Sequence, residues 1–246
     1  MKISIVTATY NCAPVIEYCL ASVEGQSYLD VEHVVVDGAS TDATKEILSA
    51  NRAKLAVCVS EPDAGIYDAL NKGFALSSGD VVGILHSDDQ FYDATVLARV
   101  VRAFEDPSID YAYGDIEMVR PDGNLARYWR TGVFPDGRVT GAHIPHPALF
   151  LSRRLVDLLM PVFDTNYRIA ADIKQQLTFA NVLRARGAYI PRPLVRMSIG
   201  GTSTANFSSY LLGWRESRRA WNEVHGSGGA RFAVKKVLSK FSGIRF

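Results

Sequence analysis

The chain is 246 residues long, 48% hydrophobic and 22% charged, with a formal net charge of +1. That balance suits one large globular domain, or one with a helical appendage, and supplies apolar material for a full core. The near-neutral charge implies no nucleic-acid partner, and no apolar run reaches the ~18 residues of a membrane span.

Cys12, Cys19 and Cys58 are odd in number and scattered, without the spacing of a metal site or a disulfide framework, which fits a reducing compartment. The opening "MKISIVTATYN" breaks its apolar stretch too early for a secretory signal. A soluble, cytoplasmic protein is expected.

Taken in chain order, "ISIVTA" reads as a short buried strand. A helix from roughly Pro14 to Gln26 follows, with Ile16, Cys19, Leu20 and Val23 at helical spacing. "EHVVVD" is a second strand; Ser40, Thr41 and Asp42 are N-cap types before the helix "ATKEILSANRA". "LAVCVS" is a third strand, "IYDALNKGFALS" a third helix and "DVVGIL" a fourth strand. The helix "ATVLARVVRAF" turns Leu97, Val100, Val101 and Phe104 inward, and "DYAYGDIEMV" is a fifth strand. Strands that are near-continuous apolar runs, alternating with helices, indicate an α/β fold with a mainly parallel sheet.

Beyond Asp115 the pattern loosens. "GVFPDGRVTGAHIPHP" reads as a long loop, followed by a helix at about Ala171 to Arg186 and an extended "AYIPRPLVRMS". A further helix, "YLLGWRESRRAWNEV", ends at the breaker "GSGG", and "ARFAVKKVLSKFSGIRF" closes the chain.

Polar groups collect where the first four strands end, the edge at which open parallel sheets bind ligands. Thr7 to Asn11 follow the first strand, Asp37 ends the second, Glu61 and Asp63 follow the third, and Asp88 and Asp89 follow the fourth. Adjacent carboxylates repel unless protonated or neutralised. A hard dication held by one or two carboxylates plus substrate phosphates resolves the repulsion. Asp88 and Asp89 also suit capping of a helix beginning near Asp93; acids recurring at consecutive strand ends favour the metal.

"VTATYN", "VVVDGASTDAT", "SEPDAGIYDALNKG" and "HSDD" occur in the order and spacing of the family-2 glycosyltransferases, and the chain resembles bacterial members that build exopolysaccharide and other surface glycans. The likeness runs from Met1 to about Asp115, and more weakly through "IPHPALF" and "IAADIKQQL". It implies the GT-A fold: residues 1–115 as the half that binds a nucleotide-sugar, 116–204 as the acceptor-binding half, and 205–246 as a C-terminal helical extension.

The resemblance also assigns roles. Ala8, Thr9 and Tyr10 match the turn along the base of the donor, with Tyr10 placed to stack on it or simply to pack. Asp37 matches the carboxylate that accepts from the base, although "DGAS" here lacks the second acid of the family's usual "DDGS". Asp63 and Gly65 match nucleotide contacts, and Asp63 and Glu61 also suit a turn around Pro62. "HSDD" matches the metal motif called DXD, with Ser87 at its first position. Asp89 is then the expected direct ligand of Mg²⁺ or Mn²⁺, and Asp88 lies nearer the ribose or the metal's waters.

Transfer from a nucleoside diphosphate needs stabilisation of the leaving group and a base for the acceptor hydroxyl. Asp172, in "YRIAADIKQQL", matches the family's base; alternatively it is a first-turn acid favoured by the helix dipole. Asp164 is the fallback. His146, in "IPHPALF", matches a polar position near the acceptor or diphosphate, or is structural. The loop from Gly132 to Gly141 is expected to order over the donor as a lid.

In the tail, Arg231, Lys235, Lys236, Lys240 and Arg245 alternate with Phe232, Val234, Val237, Leu238, Phe241, Ile244 and Phe246. A helix of this pattern suits the anionic inner face of the plasma membrane, or docking on its own domain. The expected activity is an inverting, metal-dependent transfer from a nucleoside-diphosphate sugar to a glycan or lipid-linked acceptor. Rival readings are transfer to a polyprenyl phosphate, a nucleotidyltransferase, and a nucleotide-sugar-binding module without chemistry. The nucleotidyltransferase is disfavoured because "TATYNCAP" lacks the glycines and lysine that cradle a triphosphate.

Overall fold

β1 (Ile3–Thr9) is buried at every residue, as a central strand covered on both faces must be. It pairs in parallel with β2 (Val31–Asp37) on one side and β4 (Val81–Ile84) on the other, and β3 (Val57–Ser60) extends the parallel set beyond β2. Residues 1–199 and 207–242 are described by a computed structural model. Alternation along these strands divides the core in two. Val6, Ala8, Val34, Val36, Val82 and Ile84 face one side with α3 (Ile66–Leu76), while Ile3, Ile5, Val35 and Val81 face α1 (Ile16–Glu24) and α4 (Val96–Ala103). α3 lies tight on the sheet through Gly73, where an added Cβ would sit 2.3 Å from a Val6 methyl.

The expected elements of this half are present with shorter ends. α1 buries Ile16, Cys19, Leu20 and Val23, as its spacing required. α2 (Thr44–Ala50) starts without a side-chain cap of its own, because Asp42 turns its carboxylate to the Thr44 N–H (3.0 Å). In α4 the inward residues are Val96, Leu97 and Val100, whereas Val101 is only half-buried.

Past α4 the sheet changes direction. β6 (Tyr111–Val119) pairs with β8 (Leu149–Ser152) antiparallel, and β8 in turn pairs antiparallel with β4. β9 (Gly187–Ser198) runs parallel to β6 and antiparallel to the two-residue β5 (Gln90–Phe91), and β7 (Leu125–Trp129) pairs antiparallel with β6. The order is β3-β2-β1-β4-β8-β6-β9-β5, with β7 on β6. The sequence reading contained no β5, β7 or β8, since four residues inside a Pro-rich stretch carry too little pattern to register as a strand. α5 (Arg153–Leu159) follows β8 directly, its Leu155 N–H capped by Ser152 Oγ.

The helix expected at about Ala171 to Arg186 is α-helical only over α6 (Ala171–Gln176), then opens into a π-type turn, Leu177–Val182. Arg184 (φ 56°) enters the left-handed region and ends it. The Gly/Pro loop is anchored. Gln176 brackets the Ile144 N–H and C=O, each at 2.8 Å, and Asn181 brackets those of Val139, each at 2.9 Å. Phe134, Val139 and Ile144 are core residues. These contacts hold the segment expected to act as a lid against α6 and the turn after it in this structure.

α7 (Phe207–His225) and α8 (Gly229–Ser242) pack as a hairpin across Gly226 and Gly228, both at positive φ. Phe232 of α8 is buried against Trp221 of α7, the rings stacked at 4.7 Å. No helix among the described residues is long and apolar enough to cross a membrane.

At the edge opposite the acidic strand ends, Glu32 is buried yet fully partnered. Lys2 Nζ lies 2.5 Å away, Ser4 Oγ donates at 2.6 Å, and the Ser78 N–H and Oγ donate at 2.7 Å each. Burial alone would raise its carboxyl; these donors override that and hold it at about 2, below the ordinary 4.5. The ionised group therefore stabilises the fold fully above about pH 4.5, and that contribution is lost as the pH falls from there toward 2. Glu32→Gln should lower stability by roughly 2 kcal/mol at pH 7. In denaturant melts, its gap from the wild type should narrow steadily below pH 4.5.

Candidate active site

The parallel register lines up Thr9, Asp37 and Ser60 at the ends of β1, β2 and β3. Asp37 is wholly buried, and its oxygens accept from the Ser40 Oγ and N–H and from Ser60 Oγ (2.6 Å). Its charge is thus held by its own serines. Ala8 and Thr9 are buried, and Thr9 Oγ1 has no hydrogen-bond partner among the described residues.

Tyr10 stands 59% exposed at the mouth, on the neighbour of Asn11. Asn11 adopts φ 51° and accepts the Thr41 N–H at 2.8 Å, tying the β1 turn to the β2 turn. Gly38 brings Tyr10 and Asp63 to one spot: a Cβ there would lie 2.5 Å from Asp63 Oδ2 and 3.4 Å from the Tyr10 ring. Asp63 Oδ1 accepts the Gly65 N–H (2.8 Å), and Gly65 (φ 117°) opens α3. Glu61 leaves this group, because Lys72 pairs with it at 2.8 Å. An aromatic ring, a carboxylate and bare backbone thus meet at Gly38.

The chain leaves β4 through Leu85 and turns tightly at His86 to Asp89, with the Asp89 N–H returning to the His86 carbonyl at 3.0 Å. Asp89 is 1% exposed. Its Oδ1 accepts a long bond from the Ser198 N–H (3.3 Å), and its Oδ2 has no partner among the described residues. Burial, then the charge of Asp88, push its carboxyl well above the ordinary range, and burial raises Asp88 as well. Ser198 Oγ also donates to the Asp88 carbonyl at 2.8 Å, so the end of β9 grips both acids. Ser87 Oγ donates to Cys12 Sγ at 3.0 Å, which joins this turn to the end of β1.

The donor set fits Mg²⁺ or Mn²⁺. Hard carboxylate oxygens, one buried and unpartnered, are what such ions take. Among the described residues no group of three or more His, Cys, Asp or Glu side chains forms a complete cage. The remaining positions would belong to substrate oxygens and water, as is usual for Mg²⁺.

Across the crevice, Asp172 sits in the first turn of α6, 9% exposed. Burial would raise its carboxyl; the His146 contact and the charges of His146, His143 and Lys236 outweigh that and hold it at about 2. His146 Nδ1 lies 3.5 Å from Asp172 Oδ2, and its Nε2 meets the Nε2 of His86. Tyr67, beneath the same turn, donates to the Ile169 carbonyl at 2.7 Å. Asp164, the fallback base, is instead committed to Lys174 (2.6 Å) and to the Asn166 N–H (2.9 Å).

The sequence-derived residues fall into two groups: Ala8, Thr9, Tyr10, Asp37, Asp63 and Gly65 around the first three strand ends, and Asp88, Asp89, His146 and Asp172 around the fourth, joined through the Ser87–Cys12 contact. Sequence reasoning missed His86 and Ser198. His86 was visible inside "HSDD" but had no partner until β8 brought His146 to it; Ser198 is 109 residues from Asp89 and left no local signal.

The family model for glycosyl transferase family 2 matches residues 4–164. The chain belongs to that family. A glycosyltransferase of PGL/p-HBAD biosynthesis from Mycobacterium bovis BCG is 34% identical over 174 residues, covering 69% of this chain and 66% of the relative. The chain thus spans just under two thirds of that relative's length. Pasteurella multocida chondroitin synthase is 30% identical over 148 residues, 58% of this chain and 15% of that protein.

Among solved structures, Staphylococcus aureus TarS in complex with UDP-GlcNAc superposes with a TM-score of 0.72 at 19% identity, covering 98% of this chain and 73% of that one. Mannosyltransferase PcManGT from Pyrobaculum calidifontis, in complex with GDP-Man and Mn²⁺, gives 0.69 at 18% identity, covering 100% and 76%. These likenesses show the fold, GT-A.

A buried carboxylate with one oxygen unpartnered, beside a second acid, destabilises the fold that carries it. Asp89→Asn should therefore raise stability in chelator-containing buffer by roughly 1 kcal/mol. The same variant should lose the thermal shift that Mn²⁺ with a nucleoside diphosphate gives the wild type. A lower melting temperature in chelator would contradict this account of Asp89.

Proposed function

We propose that this family member is an inverting, divalent-metal-dependent transferase that moves a sugar from a nucleoside-diphosphate sugar to a glycan or lipid-linked acceptor in bacterial surface-polysaccharide assembly. The observation that carries the reading is the buried Asp89 oxygen that has no partner among the described residues, beside Asp88, on the turn whose His86 reaches Asp172 through His146. Donor complexes of TarS with UDP-GlcNAc and of PcManGT with GDP-Man and Mn²⁺ support the donor class and the cation.

The slot formed by Tyr10, Gly38 and Asp63 takes the base, with Tyr10 against its face, while Ala8, Thr9, Asp37 and Gly65 shape the backbone around it. Asp89, with Asp88, would hold Mg²⁺ or Mn²⁺, which when bound supplies Lewis-acid stabilisation of the departing diphosphate. Asp172 receives the acceptor hydroxyl's proton as the acceptor oxygen bonds to the anomeric carbon from the face opposite the diphosphate. The bond to the diphosphate oxygen breaks with its electron pair leaving on that oxygen, and the anomeric centre inverts. His146, 25% exposed between the two groups, lies against the acceptor side. The anchored wall from Gly132 to Ile144 limits water, which would otherwise compete with the acceptor.

Asp172→Asn should bind donor as the wild type does while transfer falls by roughly 10²–10⁴-fold. Nuclear magnetic resonance of the first product formed should show the anomeric configuration opposite to the donor's. Undiminished transfer by Asp172→Asn removes the base assignment, and retained configuration removes the inverting mechanism.

Peripheral membrane contact belongs to the same proposal. α8 docks on α7 through Phe232 and Ala233, and Lys236 Nζ donates to Ser217 Oγ at 2.9 Å. Its other face presents Arg231, Val234, Lys235 and Leu238, with Val234 48% and Leu238 60% exposed. The side chains of Lys240, Phe241, Ile244, Arg245 and Phe246 lie outside the described ones. One half of the helix thus docks on its own domain, and the other half has the mixture of cationic and apolar residues that suits anionic lipid. Removing α8 would expose Trp221, so point substitutions are the sound test. Val234→Ser/Leu238→Ser should melt like the wild type yet sediment several-fold less with vesicles rich in anionic phospholipid. Equal sedimentation removes the membrane contact.

A further inference from the structure

His86 and His146 reach each other from opposite sides of the β4–β8 pairing. His86 follows the end of β4, while His146 starts the single 3₁₀ turn (His146–Ala148) that leads into β8. Because β8 runs antiparallel to β4, its first residues arrive over β4's last ones. The two imidazoles cross edge to face, with centroids 4.6 Å apart and planes at 86°, and their Nε2 atoms form a hydrogen bond. The far nitrogen of His146, Nδ1, points to Asp172 Oδ2 at 3.5 Å. Three side chains from β4, β8 and α6 therefore form one line, His86–His146–Asp172, across the crevice.

Hydrogen-bond chemistry orders this line. An ionised carboxylate only accepts, so the His146 Nδ1 must carry a proton. Of two facing Nε2 atoms only one can donate: His86 when His146 is neutral, His146 when its ring carries both protons. The ring of His146 is thereby fixed at both nitrogens. Both rings are half-buried.

Resting on the reading of Asp172 as the base, we propose that His146 is the positioning residue that aims the Asp172 carboxylate at the acceptor hydroxyl, and that His86 holds the His146 ring in the orientation this requires. His146 engages one carboxylate oxygen and leaves the other to meet the acceptor. The 3.5 Å separation is loose for a hydrogen bond, and contacts of this kind tighten when substrate completes a site. The pairing also links the turn bearing Asp88 and Asp89 to the base, so donor and acceptor subsites share one rigid connection.

The test compares the full chain with His146→Ala, His146→Asn, His86→Ala and His86→Gln, with Asp172→Asn as reference. Steady-state transfer and thermal stabilisation by Mn²⁺ with nucleoside diphosphate are measured on each. The Asn side-chain amide can restore the donor at the Nδ1 position, and the Gln amide the donor at Nε2. His146→Ala should lose roughly 10–100-fold in kcat, with donor KM and the nucleotide-induced shift within about twofold of the wild type. His146→Asn should recover most of that loss. His86→Ala should show a smaller fall in kcat that His86→Gln restores.

A His146→Ala enzyme with wild-type kcat overturns the proposal, as does a His146→Asn enzyme no faster than the alanine variant. A loss confined to donor KM also overturns it, because that places the histidines in donor binding. Should either alanine variant fail to give a cooperative melt, the Asn and Gln variants decide, with near-wild-type kcat expected and an alanine-like loss contradicting it. If Asp172→Asn transfers normally, the base reading itself fails. If Asp172→Asn is inactive and His146→Ala is not, only the positioning role fails.

Discussion

A carboxylate enclosed by folding without enough donors is the constraint around which this molecule is arranged. Asp89 is shut into the end of the sheet with one oxygen that has no partner among the described residues and a second acid adjoining it. Hydrophobic closure of the surrounding residues, not any gain from Asp89 itself, keeps it there. Such a group is stable in place only if something positive arrives, and the crevice beside it is where a cation and a diphosphate would meet. The neighbouring contacts hold this arrangement open: β9 reaches the pair through Ser198, and Cys12 ties the turn to β1.

The two edges of the sheet behave in opposite ways. At one edge, buried polarity is satisfied. Glu32 has Lys2, Ser4 and Ser78, and Arg153 closes the carbonyls of Ser77 and Gly79 at 2.9 and 3.1 Å. At the other edge, Thr9 Oγ1 and Asp89 Oδ2 are buried without partners among the described residues. The same strands thus carry stability at one end and leave unmet bonding capacity at the other. Ligands of open α/β sheets belong at the carboxyl ends of the strands, where these two atoms lie.

The antiparallel strand β8 joins the two halves chemically. It brings the segment with His146 back across β4 and carries the anchored wall that Gln176 and Asn181 hold. α6 is held in register from beneath, where Glu216 of α7 accepts the backbone N–H groups of Arg168, Ile169 and Ala170 at 2.8–2.9 Å. α7 is in turn braced by α8 through the stacked Trp221 and Phe232. The C-terminal hairpin is therefore a support for Asp172 as well as an exposed surface, which explains why Lys236 contributes to the field around that carboxylate.

The amino-acid sequence by itself determined the parallel half, the family and most of the crevice residues. Near-continuous apolar runs from Ile3 to Val6 and Val34 to Val36 leave little choice but central strands, and acids placed after them fall on one edge by topology alone. Tertiary structure alone decided three things. It paired Glu61 with Lys72 and Asp37 with Ser60, contacts between residues 11 and 23 positions apart that periodicity does not record. It anchored a Gly/Pro-rich loop through two side-chain amides 32 and 42 residues away. It also joined His86 to His146 across 60 residues of chain. Periodicity reports which face of an element is buried; it holds no record of which distant side chain will complete a hydrogen bond, since that pairing exists only after β8 has settled beside β4.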